Sequence, residues 1–382
     1  MKRVYLDNAA TTPVAPEVVE AMLPYYTTHY ANPSSTHSFG REVRAAIEKA
    51  RKNIAAYIGA KGSEIIFTSG GTEADNMAIT SAVRDLGVRR LISTKLEHHA
   101  VLHSLEACAI QQKVEVEYVK VDEKGSVDLV HLAELLGGSQ EKTLVSLMHA
   151  NNEIGNVISL EQVGKLCRNY GAYFHSDTVQ TMGHFPIDVS KLPVDFITCA
   201  AHKFHGPKGI GFLYLRSGLP FSPLIRGGAQ ERERRGGTEN VAGIVGLLKA
   251  MDLAFPEMEE HKKHVLELKM YMKNQLEELI PGVSFNGVCS EDCLYTVLNV
   301  NFPAHPNADM LLFTLDLKGV AASGGSACSS GSNKGSHVIN NLKPKNPEGA
   351  NIRFSFSRYT TRECIDYALA QVSAFFDVKV GV

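Results

Sequence analysis

Glu64-Ile-Ile-Phe-Thr-Ser-Gly-Gly-Thr-Glu-Ala-Asp-Asn-Met-Ala-Ile79 is the stretch that decides the fold. Residues 64–68 are rich in β-branched and aromatic side chains and read as a short buried strand. Two glycines make a turn, and 72–79 opens a helix with Thr72 as its expected N-cap. The pattern recurs down the chain. Strands are expected at 90–94, 114–119, 144–148, 172–176, 195–200 and 211–215, with helices over 98–112 and 159–170 among them. Apolar strands alternating with helices predict an α/β fold, a mostly parallel sheet covered by helices on both faces.

Near residue 240 the texture changes. A helix is expected from Val241 past Pro256 to about Leu279, as a connector. Strands near 283–286, 295–302 and 351–356 follow, with helices near 307–317 and from Thr361, an α+β pattern. The expected organisation is an N-terminal arm (1–20) joining the small domain, a large domain (21–255) and a small C-terminal domain (256–382).

Composition sets outer limits. The chain has 382 residues, 44% apolar and 21% charged, with a formal net charge of −2. Such a balance argues against nucleic acid or an anionic membrane as partner. The N-terminus has no apolar signal region, and no run reaches the ~18 apolar residues of a membrane span. Seven scattered cysteines, odd in number, argue against a disulfide framework and for a reducing cytoplasm. Cys289 and Cys293 lack a second pair, so no metal site is expected.

In an open α/β sheet, ligands bind beyond the carboxyl ends of the strands. Several polar residues fall there. Ser69-Gly-Gly-Thr72 suits a phosphate at a helix N-terminus, or is only a tight turn. Asp177, directly after a strand, needs a cation such as a protonated ring nitrogen, or caps a turn. Lys203 follows another strand end. Desolvated there, it would be a nucleophilic amine fit for a Schiff base; the alternative is a surface lysine with a buried stem. His98, opening a helix, could stack on a flat ring or move protons, or be structural. Arg353 alternates with Ile352 and Phe354, so its fork faces away from the apolar side, toward a substrate carboxylate or a salt-bridge partner. Cys328 lies in Ala322-Ser-Gly-Gly-Ser-Ala-Cys-Ser-Ser-Gly-Ser332, too poor in apolar residues to bury itself, so it stands there for a reactive sulfur or by accident. Phosphate, aldehyde and ring nitrogen together point to pyridoxal phosphate.

The chain resembles the cysteine desulfurases of the NifS/IscS type, which are fold-type I, class V aminotransferase-like enzymes. The resemblance rests on Tyr5-Leu-Asp-Asn-Ala-Ala-Thr-Thr-Pro13, Thr68-Ser-Gly-Gly-Thr-Glu-Ala-Asp-Asn76, Glu97-His98 and Met148-His-Ala-Asn-Asn-Glu-Ile-Gly155. It continues through Asp177-Thr-Val-Gln180, His202-Lys203, Arg235-Gly-Gly-Thr-Glu-Asn240, Gly325-Ser-Ala-Cys-Ser-Ser-Gly331 and Ile352-Arg-Phe-Ser355. It implies that Lys203 binds the cofactor covalently, His98 stacks on its ring, Asp177 pairs with the ring nitrogen and Gln180 bonds the ring hydroxyl oxygen. Gly71, Thr72 and His202 would hold the phosphate. Thr238 would reach the phosphate of a second subunit in a homodimer. Asn152 and Arg353 would bind the carboxylate of L-cysteine. Cys328 would take the sulfur as a persulfide, His98 assisting as acid or base, and pass it to a protein acceptor such as an iron–sulfur scaffold.

Two departures stand out. Ala200 replaces the phosphate-binding serine three residues before the lysine, with Thr198 or a water as possible substitutes. Ser-Gly-Gly replaces the more usual Ser-Ser-Gly before the cysteine. The alternatives are a selenocysteine lyase or another class V lyase and, outside enzymes, a cofactor-poor sulfur carrier or scaffold.

Overall fold

The computed structural model describes residues 2–324 and 335–378. Chain order opens with β1 (Val4–Tyr5). The main sheet follows as β2 (Ile65–Thr68), β3 (Arg90–Ser93), β4 (Glu115–Tyr118), β5 (Thr143–Ser146), β6 (Tyr173–Asp177), β7 (Phe196–Ala200) and β8 (Gly211–Leu215). Across the sheet the order is β2-β8-β7-β6-β5-β3-β4. Strands β3 to β7 pair in parallel, whereas β8 is antiparallel to both neighbours. The reversal follows from the connection: only residues 201–210 separate β7 from β8, too few for a crossover helix.

Both faces are buried, as continuous apolar strands require. Ile65, Phe67, Ile197 and Phe212 pack against helices Ser38–Tyr57, Leu160–Asn169 and Val241–Ala254. Ile66, Leu91, Phe196 and Leu213 pack against helices Gly71–Asp85 and His99–Gln112. The N-cap of helix Gly71–Asp85 is Gly70, with φ +152°, and no side chain caps it. Thr72 is thus already inside the helix, contrary to the expected cap. The glycine turn moves the cap two residues earlier. The stretch expected to pass Pro256 is broken into Val241–Ala254 and Met258–Leu279. Proline clashes with the preceding turn and has no N–H to donate.

The C-terminal strands are β9 (Ser284–Phe285), β10 (Val297–Ala304), β11 (Val320–Ala321) and β12 (Gly349–Ser355). An antiparallel sheet runs β12-β10-β9, and β1 pairs in parallel with β11. Ile352, Phe354 and Phe356 point into a core shared with Leu268, Met272, Leu298 and Leu369. Val4 and Leu6 pack into the same core. The N-terminal segment then crosses to the main sheet: the backbone N–H and the hydroxyl of Thr12 both donate to the carbonyl of His202.

Candidate active site

The carboxyl ends of β6 and β7, the start of helix Gly71–Asp85 and the N-terminal crossing enclose a cavity of about 230 Å³. It brings together Gly71, Thr72, His98, Asn152, Asp177, Gln180, His202, Lys203 and Arg353, nine of the eleven residues singled out in the sequence. Thr238 is exposed and does not line it. Cys328 lies outside the described residues.

Lys203 sits in a single 3-10 turn, Ala201–Lys203, immediately after β7. Its ammonium donates to the carbonyls of Ala9 and Ala10 at 2.6 and 2.9 Å. The side-chain amide of Gln180 donates to the same Ala9 carbonyl at 3.0 Å. Two residues on separate elements are thus oriented by one N-terminal backbone group, which the sequence reading did not single out.

Asp177 ends β6, buried, and accepts from the N–H of Val179 at 2.8 Å. Burial, then the nearby Asp75, push its carboxyl up to about 7. Asp75 is fully buried in the first turns of helix Gly71–Asp85 and is also raised to about 7, by burial. Its Oδ1 lies 3.4 Å from Nε2 of His175. His175 shares a strand face with Asp177, two residues away. Its ring nitrogens contact Ser146 Oγ (2.8 Å) and Thr198 Oγ1 (3.2 Å). Asp75 and His175 were missed in the sequence. The available signals were the two-residue spacing of His175 from Asp177 and the one-turn spacing of Asp75 from Gly71.

His98 is the N-cap of helix His99–Gln112 and accepts the N–H of Ala100 on Nδ1 at 3.1 Å. That bond assigns the tautomer: the neutral ring keeps its proton on Nε2. Burial, then Lys203, lower its pKa to about 4. His202 contacts Thr11 Oγ1 through Nδ1 at 3.2 Å and is likewise lowered to about 4, chiefly by burial. Arg353 is 1% exposed. It donates to Asp7 Oδ1 at 2.8 Å and to the backbone carbonyl of Asn152 at 2.9 Å. The salt bridge and the cavity-lining position therefore coexist.

The residues fit pyridoxal phosphate on two observations. A Cβ built on Gly71 would lie 2.7 Å from Val179 Cγ2, so only glycine leaves room at the helix start. That start offers backbone N–H groups without intrahelical partners, suited to a phosphate. Asp177 is a buried carboxyl with one backbone donor and a raised pKa, suited to a protonated ring nitrogen. Thr198, offered as a stand-in for the missing serine at Ala200, does not line the cavity; its hydroxyl lies 3.2 Å from Nε2 of the buried His175.

Fold and site together define a pyridoxal phosphate enzyme of fold type I. The chain belongs to the aminotransferase class-V family, whose model matches residues 4–368. It is 47% identical over 375 residues to the cysteine desulfurase IscS of Dictyoglomus turgidum, covering 97% of this chain and 93% of that protein. A solved NifS-like protein superposes with a TM-score of 0.90 at 36% identity, covering 98% of this chain and all of the other. A second structure, SspA in complex with cysteine, has a TM-score of 0.80 at 31% identity, covering 94% of this chain and all of that one.

Proposed function

We propose that the protein is a cysteine desulfurase, converting L-cysteine to L-alanine and passing the sulfur to Cys328. The observation that carries this reading is the convergence of an amine, a buried carboxyl and a buried guanidinium on one cavity. The IscS relative and the cysteine-bound neighbour support it.

Pyridoxal phosphate, when bound, supplies an aldehyde that condenses with amines and a ring that accepts electrons. Lys203 would carry it and then move the substrate α-proton. Asp177 would hold a proton at the ring nitrogen, which also relieves the cost of its own burial. Gly71, Thr72 and His202 would bind the phosphate, Gln180 the ring hydroxyl oxygen, and His98 would lie against the ring. With Nδ1 held by Ala100, His98 acts through Nε2, donating a hydrogen bond. Its base function would require that cap to open. Arg353 and Asn152 would orient the substrate carboxylate. The role of Cys328 rests on sequence: its thiolate takes the sulfur, the carbon–sulfur bond breaks, and alanine leaves after protonation at the former sulfur-bearing carbon.

In the homodimer that the resemblance implies, the exposed Thr238 would reach the neighbouring subunit's phosphate. The reading extends to a reducing cytoplasm and to a protein sulfur acceptor such as an iron–sulfur scaffold. No described helix is long and apolar enough to cross a membrane.

Purified protein is expected to be yellow and to release alanine from L-cysteine. Cys328→Ala should keep the colour and lose sulfur transfer. Protein that stays colourless after incubation with the cofactor overturns the proposal. A greater turnover of selenocysteine than of cysteine would redirect it to a selenocysteine lyase.

A further inference from the structure

Arg353 carries five N–H donors on a planar fork. Two of its nitrogens are engaged, one by Asp7 and the other by the carbonyl of Asn152. Its Nε is buried without a hydrogen-bond partner among the described residues. A guanidinium this deep is costly unless its charge is compensated, and Asp7 is the carboxylate paired with it. Asp7 does not line the cavity. Its Oδ1 is also the acceptor for the hydroxyl of Ser323, again at 2.8 Å. Ser323 and Arg353 are themselves bridged: the N–H of Arg353 donates to the Ser323 carbonyl at 2.7 Å, and the return bond is 3.2 Å. Asp7 forms a parallel bridge with Ser355, two residues further along β12. One carboxylate oxygen therefore ties together the N-terminal segment, Ser323 just beyond β11 and the fork.

We infer that Asp7 is a positioning residue for carboxylate recognition: its Oδ1, braced by Ser323, fixes the Arg353 fork in the orientation that presents its remaining N–H groups to an amino-acid carboxylate. The inference rests on the proposed reading of Arg353 as the carboxylate-binding group. Asp7 acts through Arg353 and touches no substrate. The two functions of its side chain are separable. Asparagine keeps an oxygen that accepts both hydrogen bonds but removes the negative charge. Alanine removes both.

The test compares Asp7→Asn with Asp7→Ala in the cofactor-loaded enzyme. Affinity for L-alanine and for L-alaninol, which lacks the carboxylate, is read from the shift in cofactor absorbance. Wild type should prefer L-alanine. Asp7→Ala should lose about tenfold or more of that preference, the worth of one charge-assisted hydrogen bond, with cofactor affinity unchanged. With L-cysteine, KM should rise by a similar factor while kcat stays within about threefold, the signature of lost ground-state binding. Asp7→Asn should bind L-alanine as tightly as wild type or more tightly, because the fork stays aligned and its charge is no longer offset. The inference is overturned if Asp7→Ala keeps the full preference, or if Asp7→Asn loses it as badly. Should Asp7→Ala fail to fold, Asp7→Asn alone decides: weakened L-alanine binding refutes the inference, equal or tighter binding supports it. Because alanine and alaninol undergo no sulfur chemistry, a wild type inactive on cysteine would sink the proposed activity without touching this comparison.

Discussion

The ammonium of Lys203 lies 2.6 Å from the carbonyl oxygen of Ala9, a residue 194 positions earlier in the chain. The amine at the heart of the site is thus held in part by the N-terminal crossing, far from it in sequence. Lys203→Ala should abolish the absorbance of covalently attached cofactor and the borohydride-trapped label on that peptide. Loss of the proton-transferring amine should lower turnover by about 10²–10⁴-fold. Retained label elsewhere on the chain would show that another amine carries the cofactor.

Asp177 titrates near 7 in the structure against 3.8 for a free aspartate. Its native form therefore holds a proton that the unfolded chain has already released, and this group's contribution to stability falls as pH rises from about 4 to about 7. Cofactor-free Asp177→Asn escapes this penalty. Its melting temperature should gain on wild type across that window and hold the gain above it. With cofactor the order reverses. Losing one partner of a buried ion pair should weaken retention by roughly 3 kcal/mol, about 10²-fold. Parallel melting curves for the two proteins would contradict the assignment.

Ala200 is buried and lines the cavity, yet its methyl side chain has no donor to offer. Ala200→Ser should tighten cofactor binding by about tenfold, since a hydrogen bond to a charged group contributes about 1.5–3 kcal/mol. Thr198→Val should not abolish that gain, because Thr198 does not line the cavity. Absorbance titration of the cofactor checks both. An unchanged affinity in Ala200→Ser would mean the phosphate sits elsewhere.

Gly71→Ala should impair cofactor binding through the 2.7 Å approach of its Cβ to Val179. Overpacking of this kind typically costs about 1–3 kcal/mol. The double variant Gly71→Ala, Val179→Ala should recover much of the loss. If it recovers nothing, the glycine matters for backbone geometry and not for space.

His98, His149, His175, His184, His202 and His205 are all lowered to about 4, with burial the first cause in each. The unfolded chain takes up protons on these rings below about 6.5, while the native state resists until about 4. Their contribution to stability is complete above 6.5 and drains away as pH falls through that interval. Calorimetric unfolding at pH 5 in two buffers of different ionisation heat should show net proton uptake. Replacing the fully buried His175 should reduce it.

Local pattern carried much of this protein. The run 64–79 encodes a strand, a glycine turn and a helix, because alternation and helical periodicity are properties of neighbouring residues. Strand ends in an α/β sheet gather at one edge, so Gly71, Asp177 and Lys203 could be brought together on paper before any coordinates. The alternation of Ile352, Arg353 and Phe354 gave the side of β12 on which the guanidinium stands.

What sequence alone determined, then, is which side chains reach the strand edge and what chemistry they bear. Tertiary structure decided who restrains them: Ala9 on Lys203, Asp7 on Arg353, Asp75 and His175 beneath Asp177, and His175 on Thr198. It also decided that β8 runs backwards and that Thr238 stands apart from the cavity. The physical reason is range. Period and propensity act over one or two turns, whereas a hydrogen bond across 346 residues, as from Arg353 to Asp7, exists only once two cores have packed and brought the segments within 2.8 Å.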